Sequence, residues 1–281
     1  MARGTKNDVF SEGGNPLMPS RNVMKDDFGL DIPAQVVPLP SGGVIYPVET
    51  NMHGKSEVTI KAMTAREEDI LTSRALIKKG VVISELLKSA ILDDGFDPEV
   101  MLSGDRNAIM TALRVTGYGT SYHVEVDCPA CSARSKQNFD LSKLPIKRLE
   151  INPVAPGANM FEVELPMTKK KVRFRFLTGA DEKDISVMNS RKKKQGNQVD
   201  NLITTRLQYS ITAVDGINDK TKIGFFIRAM PARDSLFLRK YIDENEPGID
   251  MKQWMDCPAC FESTEVRLPM GAAFFWPDEP A

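Results

Sequence analysis

Cysteine is scarce in this chain: 281 residues carry four, and histidine and tryptophan occur twice each. A disulfide framework is not required, because a chain of this length can bury enough of its own surface to fold. Nor is there a surplus of either charge: 37 Lys and Arg face 38 Asp and Glu, which argues against a generally basic nucleic-acid binder. No run approaches the roughly 18–20 apolar residues needed to span a bilayer, and "MARGTKNDVFSEGGNPLMPSRN" lacks the apolar segment of a secretory signal. The chain is therefore expected in the cytosol, where a paired CxxC is a metal or redox element rather than a structural disulfide. There is no Walker phosphate loop and no dinucleotide fingerprint. His53 and His123 have neither a motif serine nor a placed carboxylate near them, so no catalytic residues and no enzymatic activity are expected. The acidic clusters "REED" (66–69) and "DENE" (243–246) read as solvated helix faces.

The four cysteines stand in two identical turns, "DCPAC" at Asp127–Cys131 and again at Asp256–Cys260. The chain around each turn has the same order of patterns. Val58, Ile60 and Ala62 alternate as a strand before a helical period begins at Thr64, where Glu67 three residues on completes a capping box. Gly80 suits the helix end, "VISELLKSAIL" forms a further amphipathic helix, and Asp94-Gly95 supplies turn chemistry. A helix is predicted around Asp105–Thr116 with Ile109, Leu113 and Thr116 on one face. "SYHVEVDCPAC" then alternates into the first CxxC, with "SKQNFDLSKLPI" as its returning partner.

The second half repeats this order. "KVRFRFLTGADEKDI" alternates and caps with Thr178 and Asp181, "LQYSITAVDGIN" answers "LLKSAILDDGFD", and "RDSLFLRKYIDENEPGIDMKQWMDCPAC" answers "DRNAIMTALRVTGYGTSYHVEVDCPAC". The last match is ungapped, with one offset of 129 residues carrying Asp105 to Asp234 and Cys128 to Cys257. The expectation is an α+β fold of two related units, each with strand, helices and a zinc knuckle, produced by internal duplication. Residues 1–37 read as an extended or flexible arm, 38–150 as the first unit, and 151–281 as the second with an aromatic tail, Phe274, Phe275 and Trp276.

Two CxxC turns supply the four soft ligands of a tetrahedral zinc site, so Cys128, Cys131, Cys257 and Cys260 are the candidate ligands of one structural ion. The spacing exceeds that of a local zinc ribbon, but duplicated units can bring equivalent turns together. A closed thiolate shell leaves no position for substrate. Redox centres, metal-free knuckles and zinc bridging two subunits remain open. If one ion joins the units, loss of Cys128 or Cys257 is expected to loosen the halves before either unfolds. The basic stretches "TKKKVRFRF" and "SRKKK" keep a zinc-knuckle nucleic-acid binder as a competing function, although Lys170, Val172, Phe174 and Phe176 fit a half-buried strand. The aromatic tail is either a packed end strand or an anchor for another subunit.

The succession "LPSGGVIYP", "VTIKAMTAREEDIL", "ILDDGFDPEVML" and "DRNAIMTALRVTGYGTSYHVEVDCPAC", over roughly residues 38–150, resembles the baseplate hub protein family of T-even-like contractile-tailed bacteriophages. The shared features are a Leu-Pro-Ser turn, a strand running into a T-x-x-E-E helix, a Leu-Arg pair before a glycine bend, and a strand leading to a polar or cysteine-bearing turn. The resemblance implies a non-enzymatic structural subunit of the tail baseplate, at or near the hub, assembled in the host cytoplasm and present in the virion in multiple copies. Other baseplate, hub or tail-tube proteins are the implied partners, reached through the N-terminal arm and the aromatic tail, with no membrane and no nucleic acid. The second copy and the two CxxC turns depart from the short family form. A cytosolic zinc-knuckle nucleic-acid-binding or tail-assembly factor is the alternative.

Overall fold

The structure, a computed structural model, describes residues 20–25, 31–194, 202–270 and 272–276. It is α+β. An antiparallel sheet, β1 (Ser20–Lys25), β2 (Asp31–Pro38) and β3 (Glu57–Lys61), opens the chain. Part of the stretch read as an arm is therefore strand: β2 pairs with β3 from Ala34↔Lys61 to Pro38↔Glu57, and Ala34 and Val37 are buried. The remainder of that stretch, and much of the "NSRKKKQGNQVDN" insertion, lie outside the described residues.

Helices α1 (Ala65–Thr72), α2 (Arg74–Lys79) and α3 (Val82–Ala90) follow. The single helix expected up to Gly80 is broken at Ser73, whose backbone is extended (φ −64°, ψ 104°); Gly80 then closes α2 in the left-handed conformation, φ 70°. Ile91 bridges back to Ile60, and the Leu92 N–H donates to the Thr59 carbonyl at 2.9 Å, so α3 returns the chain to the sheet. The long helix α4 (Ser103–Tyr118) crosses the centre of the molecule, with Ile109, Leu113 and Val115 buried. It delivers the chain to the hairpin β4 (Ser121–Asp127) and β5 (Arg134–Asp140), and β6 (Ile146–Lys147) follows.

The second stretch has a comparable order. Strands β7 (Phe161–Glu164), β8 (Lys171–Phe174) and β9 (Ile211–Val214) form an antiparallel sheet in that order. Helices α5 (Gly179–Lys194) and α6 (Leu202–Ser210) lie between β8 and β9, and α7 (Lys220–Ala229) and α8 (Ala232–Asn245) follow. Then come β10 (Gly248–Ile249), which pairs with β6, and the hairpin β11 (Lys252–Asp256) and β12 (Ser263–Arg267).

Two buried aspartates organise these halves. Asp105, near the start of α4, accepts from Ser41 N at 3.0 Å, Ser41 Oγ at 2.6 Å and Tyr46 Oη at 2.6 Å, fixing the turn after Leu39-Pro40. Asp234, near the start of α8, accepts from Met167 N at 2.8 Å and Thr168 N at 3.0 Å, fixing the turn after Leu165-Pro166. A buried carboxylate is costly without such donors. Burial opposes the charge at both sites, but the outcomes differ: Asp105 is pushed up, while the Met167 and Thr168 donors hold Asp234 down.

The larger core runs through both halves. Leu39, Ile60, Leu86, Ile109 and Leu113 pack in one cluster with Phe161, Phe174, Phe176, Met255 and Val266. A smaller cluster around Leu165, Val172, Leu207, Ile223 and Leu238 belongs to the second stretch alone. Gly104 lets two backbones meet: a Cβ there would overlap the Pro247 carbonyl oxygen, so α4 can approach β10 only without a side chain.

Candidate metal centre

The hairpins β4–β5 and β11–β12 have the same register. Asp127 pairs with Arg134 and Asp256 with Ser263, each pair displaced by the same 129 residues, Asp127 to Asp256 and Arg134 to Ser263. Within the knuckles the Cys128 N–H donates to the Ala133 carbonyl at 2.9 Å, and the Cys257 N–H to the Glu262 carbonyl at 3.0 Å. The turns close through Ser132 and Phe261, left-handed at φ 59° and φ 60°. The first residue of each "DCPAC" clips its own hairpin: Asp127 takes a bidentate pair from Arg134 at 2.8 and 3.1 Å, and Asp256 accepts from the Ser263 hydroxyl.

The structure brings all four sequence-predicted cysteines together. Cys128 Sγ lies 3.9 Å from Cys260 Sγ, Cys131 Sγ lies 3.6 Å from Cys257 Sγ, and all four sulfurs fall within 4.8 Å of one another. Each close pair crosses between hairpins, and these separations are far beyond the roughly 2.05 Å of a disulfide bond. An ion at the usual zinc–thiolate distance of about 2.3 Å from four tetrahedral sulfurs requires them to stand about 3.8 Å apart. The donor set and spacing are thus compatible with a structural metal. Cys128 and Cys257 are buried, Cys260 half-buried and Cys131 exposed, so the cluster sits with one edge in solvent.

The backbone prepares two of the sulfurs for charge. The amides of Cys131 and Ala130 pull Cys128 down to about 6, and those of Cys260 and Ala259 lower Cys257 in the same way. The other two go the opposite way. The Ala133 amide and the Cys260 sulfur favour the Cys131 thiolate, but partial desolvation and the sulfurs of Cys257 and Cys128 outweigh them and raise it; the Glu262 amide favours the Cys260 thiolate, but desolvation and the other three sulfurs push Cys260 up to about 12. Four thiolates this close repel one another unless a cation joins them.

The remaining candidates are placed elsewhere. His53 Nδ1 lies 2.7 Å from the Tyr46 carbonyl oxygen, and His123 is exposed on β4. The acidic clusters are not simple solvated faces. Glu67 is buried and accepts from Thr64 N at 2.9 Å, Ser89 Oγ at 2.5 Å and Lys61 Nζ at 2.8 Å. Burial alone would raise its carboxyl, but these donors hold it at about 2. Asp243 binds Lys252 at 2.7 Å and Arg267 at 3.1 Å, tying α8 to the second hairpin. The aromatic tail is likewise corrected as an interface anchor. Residues Ala272–Phe275 form a 3₁₀ turn with Phe274 and Phe275 buried, Phe274 meeting Tyr122 edge to face at 5.0 Å, which leaves only Trp276 of the three exposed.

Sequence reasoning missed Arg114, half of the Leu-Arg pair. It is buried and donates to three carbonyls, Phe274 at 3.2 Å, Gly119 at 2.9 Å and Ser121 at 2.9 Å, joining α4, the first hairpin and the C-terminal turn. Its signal in the sequence was the Leu-Arg pair before the glycine bend, which by itself gave the arginine no partner.

Fold and cluster together describe an α+β chain with four clustered thiols between two matching hairpins. Residues 44–157 match the family model of the T4 bacteriophage base plate protein. The matched region includes the first hairpin and ends before the second. No curated protein and no solved structure matches the chain.

Proposed function

We propose that this protein is a non-enzymatic structural subunit of a contractile phage tail baseplate, at or beside the hub, with one zinc ion pinning its two hairpins together. The match of residues 44–157 to the base plate family carries the baseplate part of this reading. The four-sulfur cluster supports the zinc part, because a closed thiolate shell can hold a fold but has no position for chemistry. The ligands are Cys128, Cys131, Cys257 and Cys260; when bound, the ion neutralises the repulsion among their thiolates, while the knuckle amides hold Cys128 and Cys257 ready to coordinate.

The two stretches, 38–150 and 151–281, are copies of one ancestral unit in this reading. Its support is the common register of the hairpins, the Leu-Pro turns held by Asp105 and Asp234, and the caps at Thr64 and Thr178. Neighbouring baseplate, hub or tail-tube proteins are the partners, and the complete particle is the location. Mass spectrometry of purified tails tests this directly. The protein should remain with the baseplate in multiple copies; its absence from finished particles, or a substrate turned over by the purified chain, would contradict the proposal.

A further inference from the structure

The two hairpins match in register but not in what they expose. At the position where β4 carries Glu125, β11 carries Trp254, which is 70% exposed; where the first turn has Ser132, the second has Phe261, 87% exposed. Neither aromatic is needed to form the hairpin, since the first hairpin closes the same way without them. Phe261 is in addition held in the left-handed region at φ 60°, unfavourable for a bulky side chain. The charges differ too. Residues 254–265 include Asp256, Glu262 and Glu265, all exposed, and no base, whereas Glu125 and Asp127 are balanced by Arg134 and Lys136 in the first hairpin.

The chemical complement of this acidic aromatic tip lies elsewhere on the same chain. The turn after Leu165-Pro166 presents Met167, 60% exposed, followed by the exposed Lys169, Lys170 and Lys171. Lys169 and Lys170 meet Glu164 at 3.9 Å and Asp215 at 2.7 Å in solvent-exposed pairs, so three lysines face two acids and the turn keeps a modest positive excess. The corresponding turn of the first half, Leu39-Pro40-Ser41-Gly42-Gly43, carries no charge. Trp254, Phe261 and Met167 remain exposed, so tip and turn do not cover each other within one chain.

We propose that the Trp254–Phe261 tip of one copy docks on the Met167–Lys171 turn of a second copy, a heterologous contact that joins chains head to tail. Aromatic side chains beside acids fit an apolar methionine followed by three lysines, and such a contact closes a ring or extends a chain according to its rotation. The inference rests on these surfaces and does not require the metal or the baseplate reading.

Sedimentation of the full chain with zinc present tests it. The wild-type mass should rise with concentration at low salt and fall back at about 1 M salt, where screening acts within about 3 Å. Trp254→Glu with Phe261→Ser, which restores the first hairpin's residues, should weaken association about tenfold or more, as should Lys169→Glu with Lys170→Glu. Each variant retains one intact half of the contact, so mixing the two should give a 1:1 heterodimer that grows no further. A wild type that stays monomeric throughout, a tip variant that associates as wild type does, or mixed variants that remain monomers would each overturn the proposal.

Discussion

At the scale of single residues, the fold depends on carboxylates that are buried and then fully supplied with donors. Glu67 is the clearest case. Folding lowers its pKa from 4.5 to about 2, so the unfolded chain holds that proton more readily than the folded one. Its contribution to stability is complete above pH about 4.5 and is lost as pH falls toward 2. Glu67→Gln should therefore flatten the stability–pH curve between those values, as read by denaturant titrations at several pH values; a curve parallel to wild type would refute the assignment. Arg114 gives a second residue-scale prediction. Arg114→Met leaves three carbonyls without their donor and should cost about 2–4 kcal/mol by chemical denaturation. The effect should appear as early loss of protection around the Phe274 turn.

Among the elements, the hairpins and α4 carry the most information. The alternation into and out of the first CxxC was enough to predict the first hairpin, and the ungapped 129-residue offset placed the second CxxC in an equivalent setting. The predicted α4 was short by two residues at each end; at its start Ser103 and Gly104 have low helix propensity, and tertiary contacts set the first turn. Hidden from local pattern were the long-range contacts: the aspartates reaching back to Leu-Pro turns, and β6 pairing with β10 across about a hundred residues. The tail misled for a related reason, since an aromatic cluster at a chain end has the same composition whether buried or offered to a partner. Gly104→Ala tests the packing at this scale. The added methyl meets the Pro247 carbonyl and must push α4 from β10, at a cost of about 1–3 kcal/mol measured by thermal unfolding.

For the molecule as a whole, the continuous core changes what the cysteine cluster has to do. Phe161, Phe174, Phe176 and Phe275 pack with first-half side chains, so apolar burial already holds the halves together without an ion. Replacing Cys257 by serine should accordingly free the hairpins at 121–140 and 252–267 while the α4 amides stay protected, as hydrogen exchange would report. The sequence alone suggested that the halves would part; the shared core argues that the knuckles open first. The central claim is that one zinc ion joins the two hairpins of a single chain, and zinc X-ray absorption combined with native mass spectrometry tests it most directly. The account predicts one zinc per chain, bound in the monomer by four sulfurs at about 2.3 Å; no zinc, two ions per chain, mixed nitrogen or oxygen ligands, or an ion present only in dimers would contradict it.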